Sequence, residues 1–257
     1  MARILIIRFS ALGDVAMTIP VIHSLAVQYP QHEITVLSRA VWQPLFQELP
    51  GNVNFMGADL TGKHKGLWGL NSLYSELKAM HFDYVADFHH VLRSKYLSLR
   101  FRLANIPVAH ICKGRAGKKK LVRRHHKVME NQKSSFRRYA DVLEKLGLPV
   151  LLNFSSIYEE GKGNFAEIEP VTGPKENQKW IGIAPFAKHA GKIYPLELQE
   201  KVIAHFAANP AVKVFLFGGG KSEQEIFDAW TAKYPSVVSM IGKLNMRTEL
   251  NLMSHLD

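Results

Sequence analysis

Residues 4–30, ILIIRFSALGDVAMTIPVIHSLAVQYP, decide the fold. Ile4, Leu5, Ile6 and Ile7 make an apolar run too short for a helix and rich enough in β-branching for a buried strand. A loop of small residues follows at Ser10, Ala11, Leu12 and Gly13. Apolar positions then return at Val15, Ile19, Ile22, Leu25 and Ala26, the spacing of a helix with one face turned to a core. Pro20 falls inside that run and would remove a backbone bond, so the helix is expected to begin late or to kink there. Strand, tight turn and helix together open a parallel α/β sheet. In such sheets ligands bind beyond the carboxyl ends of the strands, the edge that carries Ser10, Gly13 and Asp14. An aspartate after a loop glycine is commonly a helix cap, so Asp14 reads as either a cap or a reactive carboxylate.

The alternation continues outward from this unit. Strands are expected at 33–38 (EITVLS), 53–58 (VNFMGA), 82–88 (FDYVADF) and 107–112 (PVAHIC). Between them lie a short helical segment around Pro44, a helix through Leu67, Leu70, Leu73 and Leu77, and a basic amphipathic helix over 91–105 that ends before Pro107. A helix over 134–148 takes Ser134 or Ser135 as its cap and Gly147 as its stop. From 151 to 179 the composition is that of linker and loop. A second series then follows: a strand at 180–186, a helix opened by Pro195, a strand running into Gly218, Gly219 and Gly220, a helix from Ser222, a strand at 236–242 and the start of a last helix. The expected organisation is an N-terminal Rossmann-like domain over 1–150, a linker over 151–179 and a C-terminal Rossmann-like domain over 180–257.

Composition narrows the class. A chain of 257 residues that is 47% hydrophobic can bury a proper core, and a single cysteine, Cys112, cannot form an internal disulfide. There is no apolar run of about 18 residues, and Arg8 and Asp14 interrupt the N-terminal stretch, which therefore does not read as a signal peptide. A cytoplasmic protein is therefore expected. Net charge is +11, and residues 113–138 carry eleven Lys/Arg against the one acid Glu130. The basicity is thus one local feature that implies an anionic partner. One candidate partner is RNA or DNA, which would make the chain a Rossmann-like binding module. Against it, the nearby aromatics Phe136 and Tyr139 sit at helical spacing, more suited to a core than to stacking on bases.

The string RFSALGDVAMTIPVIHSL after the strand ILII resembles the opening of the family 9 glycosyltransferases, the ADP-heptose:lipopolysaccharide heptosyltransferases. The resemblance implies a GT-B architecture, two Rossmann-like domains, with inverting transfer of heptose from ADP-heptose to the lipopolysaccharide inner core or a related glycolipid, without a metal. Asp14 then inherits the role of base toward the acceptor hydroxyl. Lys192, within Lys192-Ile193-Tyr194-Pro195, inherits the donor-phosphate role, with Lys188 beside it. Gly218, Gly219 and Glu223 fall where the family often carries an acid for the nucleoside, although Ser222 and Glu223 equally suit a capping box. On the acceptor side, Asp87-Phe88-His89-His90-Val91-Leu92-Arg93-Ser94 is similar to the family's Asp, loop, Arg-Ser pattern, and Arg93 suits a carboxylate or phosphate. Ser10, Gly13, Lys63, Arg123 and Arg124 complete the acceptor side, the cations forming a wall toward an acidic glycolipid and bringing peripheral contact with the inner membrane surface. His89 and His90 lack a third ligand at recognisable spacing, which disfavours zinc. The family's later motif, Asp-Ser/Thr-Gly with a nearby His, is absent before Asp257. The second domain is accordingly expected to be incomplete at its C-terminus, the chain being truncated or an unusually short member.

Overall fold

A computed structural model of the chain describes residues 1–158 and 161–257. Glu159 and Glu160, within the stretch read as linker, lie outside the described residues. The chain divides into two compact units, Met1–Ile157 and Tyr158–Asp257.

In the first unit, β1 (Arg3–Ile7) leads through a turn into α1 (Leu12–Ala16) and α2 (Ile19–Gln28). The helix expected after the turn is therefore broken in two, with Pro20 near the start of α2, where its missing N–H costs nothing. Then come β2 (Glu33–Arg39), β3 (Val53–Ala58), α3 (Gly66–Lys78), β4 (Tyr84–Asp87), α4 (Leu92–Leu103), β5 (Val108–His110), α5 (Arg115–Leu121) and α6 (Ser135–Glu144). A 3₁₀ turn over Ala40–Phe46 contains Pro44. The basic stretch, read as a charge run, thus carries a short helix of its own, α5.

The five strands are all parallel, in the order β3-β2-β1-β4-β5. Ile4 to Ile7 are completely buried at its centre, each contributing roughly 1.5–3 kcal/mol by leaving water. The strand order reverses between β1 and β4, so the crevice beyond their carboxyl ends is the position where open α/β sheets hold ligands. Ser134 caps α6 by accepting from the Arg137 amide, and Gly147 ends that region with a φ of 79°.

In the second unit the order is α7 (Glu169–Thr172), β6 (Lys179–Ile183), α8 (Leu196–Ala207), β7 (Val212–Leu216), α9 (Lys221–Lys233), β8 (Val237–Ser239) and α10 (Met246–Ser254). A three-stranded parallel sheet, β6-β7-β8, packs a core that includes Trp180, Phe215 and Phe227. Part of the stretch read as loop is helical: α7 and the turn Phe165–Glu167 bury Ile168 against Trp180 and Leu252. Their shortness hid the period that reveals longer helices.

Candidate active site at the strand-order reversal

The chain leaving β1 stays pinned. The Arg8 amide donates to the Leu37 carbonyl, the Ser38 hydroxyl donates to the Arg8 carbonyl and the Trp42 indole donates to the Phe9 carbonyl. Arg8 is 7% exposed, and its guanidinium forks. One nitrogen donates to the Phe88 carbonyl at 2.8 Å and another reaches the Asp14 carboxylate at 2.6 Å. A planar fork with donors on separate nitrogens suits that double duty. Asp14 lies in the first turn of α1, whose N-cap is Ala11, so its carboxylate serves Arg8 instead of a cap. The Asp14 side chain is 54% exposed, and among the described residues its second oxygen, Oδ1, has no hydrogen-bond partner. The carboxylate is thus aimed by one oxygen and open at the other.

Tyr139 braces this arrangement from α6. Its ring stacks on Phe88 at 4.7 Å, and its hydroxyl donates to the Asp14 backbone carbonyl at 3.2 Å. Burial raises its pKa, so it stays a neutral donor. Being 1% exposed, it is a core residue, as its helical spacing indicated, and offers no platform for bases.

Beyond β4, buried Asp87 builds the next turn. Its Oδ1 accepts from the His89 and His90 amides and its Oδ2 from the Ser98 hydroxyl. The turn presents His89, 8% exposed, with its ring edge toward Phe9. Burial, reinforced by the Arg8 charge, lowers the His89 pKa to about 4, so the ring is neutral at pH 7. Its Nδ1 is buried with no partner among the described residues.

Two hollows meet here. One, of 430 Å³, is bordered by Arg8, Ser10, Asp14, His89, Lys113 and Lys118; its neighbour, of 380 Å³, by Ser10, Arg39, Thr61, His89 and Arg93. Ser10 and His89 border both and so form the wall between them. A larger hollow of 610 Å³, beside Cys112 and α6, holds none of the residues selected from sequence.

The structure therefore brings Ser10, Gly13, Asp14 and Arg93 to one sheet edge. Lys63 lies in the loop before α3, where its ammonium is 2.8 Å from Glu76. Arg123 and Arg124 are exposed after α5, and neither is ion-paired among the described residues. In the second unit, exposed Lys188 precedes a 3₁₀ turn, Ala190–Lys192, whose last residue is the exposed Lys192; the turn lies between β6 and α8, which has Pro195 at its N-cap. Gly218 and Gly219 follow β7, and the Glu223 carboxylate accepts from the Gly219 amide at 2.7 Å. A Cβ on Gly218 would meet that carboxylate at 2.7 Å and the Phe227 ring at 3.1 Å, so a side chain there would displace the Glu223 carboxylate from the Gly219 amide. Helix α9 has Gly220 as its N-cap, at φ 93°, rather than Ser222. Sequence reasoning missed Arg8, read as a mere interruption of an apolar run, and Arg39. The available signal for Arg8 was a charge placed directly after a central strand.

Two parallel α/β units, the first with a carboxylate and clustered cations at its switch point, are the make-up of the GT-B enzymes. The family model described as glycosyltransferase family 9 (heptosyltransferase) matches residues 70–257, and the chain belongs to that family. It is a glycosyltransferase. Among solved structures, it is similar to Escherichia coli heptosyltransferase WaaC with ADP-2-deoxy-2-fluoro heptose, with a TM-score of 0.71 and 15% identity over 99% of this chain and 80% of that one. The family 9 glycosyltransferase from Veillonella parvula gives 0.68 and 20% over 95% and 70%. The E. coli ADP-heptose lipopolysaccharide heptosyltransferase II gives 0.61 and 19% over 99% and 77%. No curated protein matches.

Proposed function

We propose that the chain moves a heptose from ADP-heptose onto the lipopolysaccharide inner core or a related acidic glycolipid, with inversion and without a metal. The acceptor hydroxyl oxygen attacks the anomeric carbon, its proton passes to Asp14, and the bond to the diphosphate breaks as ADP departs. The observation that carries this reading is the Asp14 carboxylate, fixed by Arg8 at the mouth of the 430 Å³ hollow with one oxygen open.

On this reading residues 1–150 hold the acceptor and residues 180–257 the donor. Lys192, with Lys188, offsets the charge that develops on the leaving diphosphate. Glu223, Gly218 and Gly219 form the nucleoside side of the site. Arg93, on the neighbouring hollow, suits a phosphate or carboxylate of the acceptor, and the exposed Arg123 and Arg124 extend the cationic surface, while Lys63 must first leave Glu76. Neutral His89, between the hollows, suits a hydrogen bond to a sugar hydroxyl rather than a charge pair. An acceptor of this chemistry places the reaction on the cytoplasmic side, at the surface of the inner membrane.

The test is ADP release from ADP-heptose with an inner-core acceptor. Asp14→Ala is expected to lower kcat by about 10²–10⁴-fold with donor affinity intact, and Lys192→Ala to weaken ADP binding while leaving the fold unchanged. Retained turnover in the first variant would remove Asp14 as base. Unchanged ADP affinity in the second would remove the clamp.

A further inference from the structure

Helix α4 buries one stripe, Ser94, Leu97, Ser98 and Phe101, as a surface helix should. Its opposite face is also apolar. Leu92 is 86% exposed, Leu99 54% and Leu103 73%. At 3.6 residues per turn these three align within about 40° of one another. Lys95 and Arg102 flank the leucines on one side and Arg93 on the other, and α4 contains no acid.

The surface continues onto α3. Asn71 of α3 accepts from the Tyr96 hydroxyl at 2.5 Å and from Arg100, which ties the two helices together. One turn before Asn71 stands Trp68, 88% exposed, and one turn before Tyr96 stands Leu92. A tryptophan and three leucines thus stand exposed on two helices bonded to each other, with lysine and arginine beside the leucines. Glu76, an acid on α3, is already engaged by Lys63 and His64.

The occupant must satisfy both halves of that surface. A second copy would set Lys95, Arg102 and Arg93 against their own equivalents, which charge repulsion disfavours. A nucleic acid would pair the cations and leave the leucines in contact with nothing suitable. An anionic lipid surface serves both, since leucine and tryptophan enter the boundary of headgroups and acyl chains while Lys and Arg stay among the phosphates.

We infer that the solvent face of α4, with Trp68 at the start of α3, is the surface by which this chain docks on an anionic bilayer. The inference rests on exposure and charge and not on the identity of the reaction. Arg93 at the N-terminal end of α4 borders the 380 Å³ hollow, so docking along this face holds that hollow at headgroup level.

The full chain, mixed with vesicles of phosphatidylcholine alone or with phosphatidylglycerol added, is expected to sediment with the anionic vesicles and to be released by salt. Leu99→Ser/Leu103→Ser and, separately, Lys95→Glu are each expected to lower partitioning at least about tenfold, with melting temperature and ADP affinity unchanged. Equal binding to both vesicle types, or variants that partition like the parent chain, would overturn the inference. So would a parent chain that ignores vesicles but changes from dimer to monomer when the leucines are replaced, since that would make the face a contact between copies.

Discussion

Replacing Arg8 tests the proposed geometry most directly, because one buried guanidinium holds both the main chain after β4 and the carboxylate on α1. Arg8→Met keeps the stem's volume and removes the fork. The bond to the Phe88 carbonyl involves a charged donor, worth roughly 1.5–3 kcal/mol, and the carbonyl would be left unpaired. Against that, Nε is buried without a partner among the described residues, and its removal returns part of the cost. The ion pair itself adds at most about 1 kcal/mol because Asp14 is more than half exposed. The net loss is about 1–2 kcal/mol, which for a unit of this size is a fall in Tm of about 2–8 °C. Turnover should suffer more. A carboxylate freed to drift by about 1 Å costs on the order of 10²-fold, or about 2.7 kcal/mol of barrier.

The double variant decides the cause. If Arg8 acts by aiming Asp14, then Arg8→Met/Asp14→Asn should be no slower than Asp14→Asn alone, because there is no longer a base to misplace. Steady-state kcat for the parent and the three variants, read with their melting curves, supplies the cycle. Losses that multiply would refute the reasoning and would place Arg8 on the substrate instead.

Two further outcomes follow from the turn after β4. His89 has a folded pKa of about 4, below its unfolded value, so its contribution to stability is complete above about pH 6.5 and is lost as pH falls toward 4. The unfolding free energy from denaturant titrations should therefore drop between pH 7 and pH 5, by about 2 kcal/mol from this group, and His89→Gln should flatten that slope; an unaltered slope would mean the ring is not held neutral. Asp87 is completely buried and accepts three hydrogen bonds, so Asp87→Ala should destabilise the first unit by about 2–4 kcal/mol, seen as a lower Tm. A Tm within 1 °C of the parent would show that the turn is held by other means.

The sequence by itself determined the alternation of strands and helices, that Asp14 and Arg93 follow strands of the first sheet and Lys192 and Glu223 follow strands of the second, and the confinement of charge to one stretch. These are local properties, set by period, by glycine and proline, and by which residue follows which strand. The resemblance of residues 4–26 likewise gave the family. Tertiary structure decided which side chains meet. That Arg8 spans from Asp14 to Phe88 depends on β1 and β4 lying side by side, although 80 residues separate Arg8 from Phe88. That Lys63 is spent on Glu76, that His89 divides two hollows and that α4 shows leucine to solvent are matters of burial. The same side-chain types, spaced the same way along the chain, could have been paired, buried or exposed, and packing alone distinguishes those outcomes.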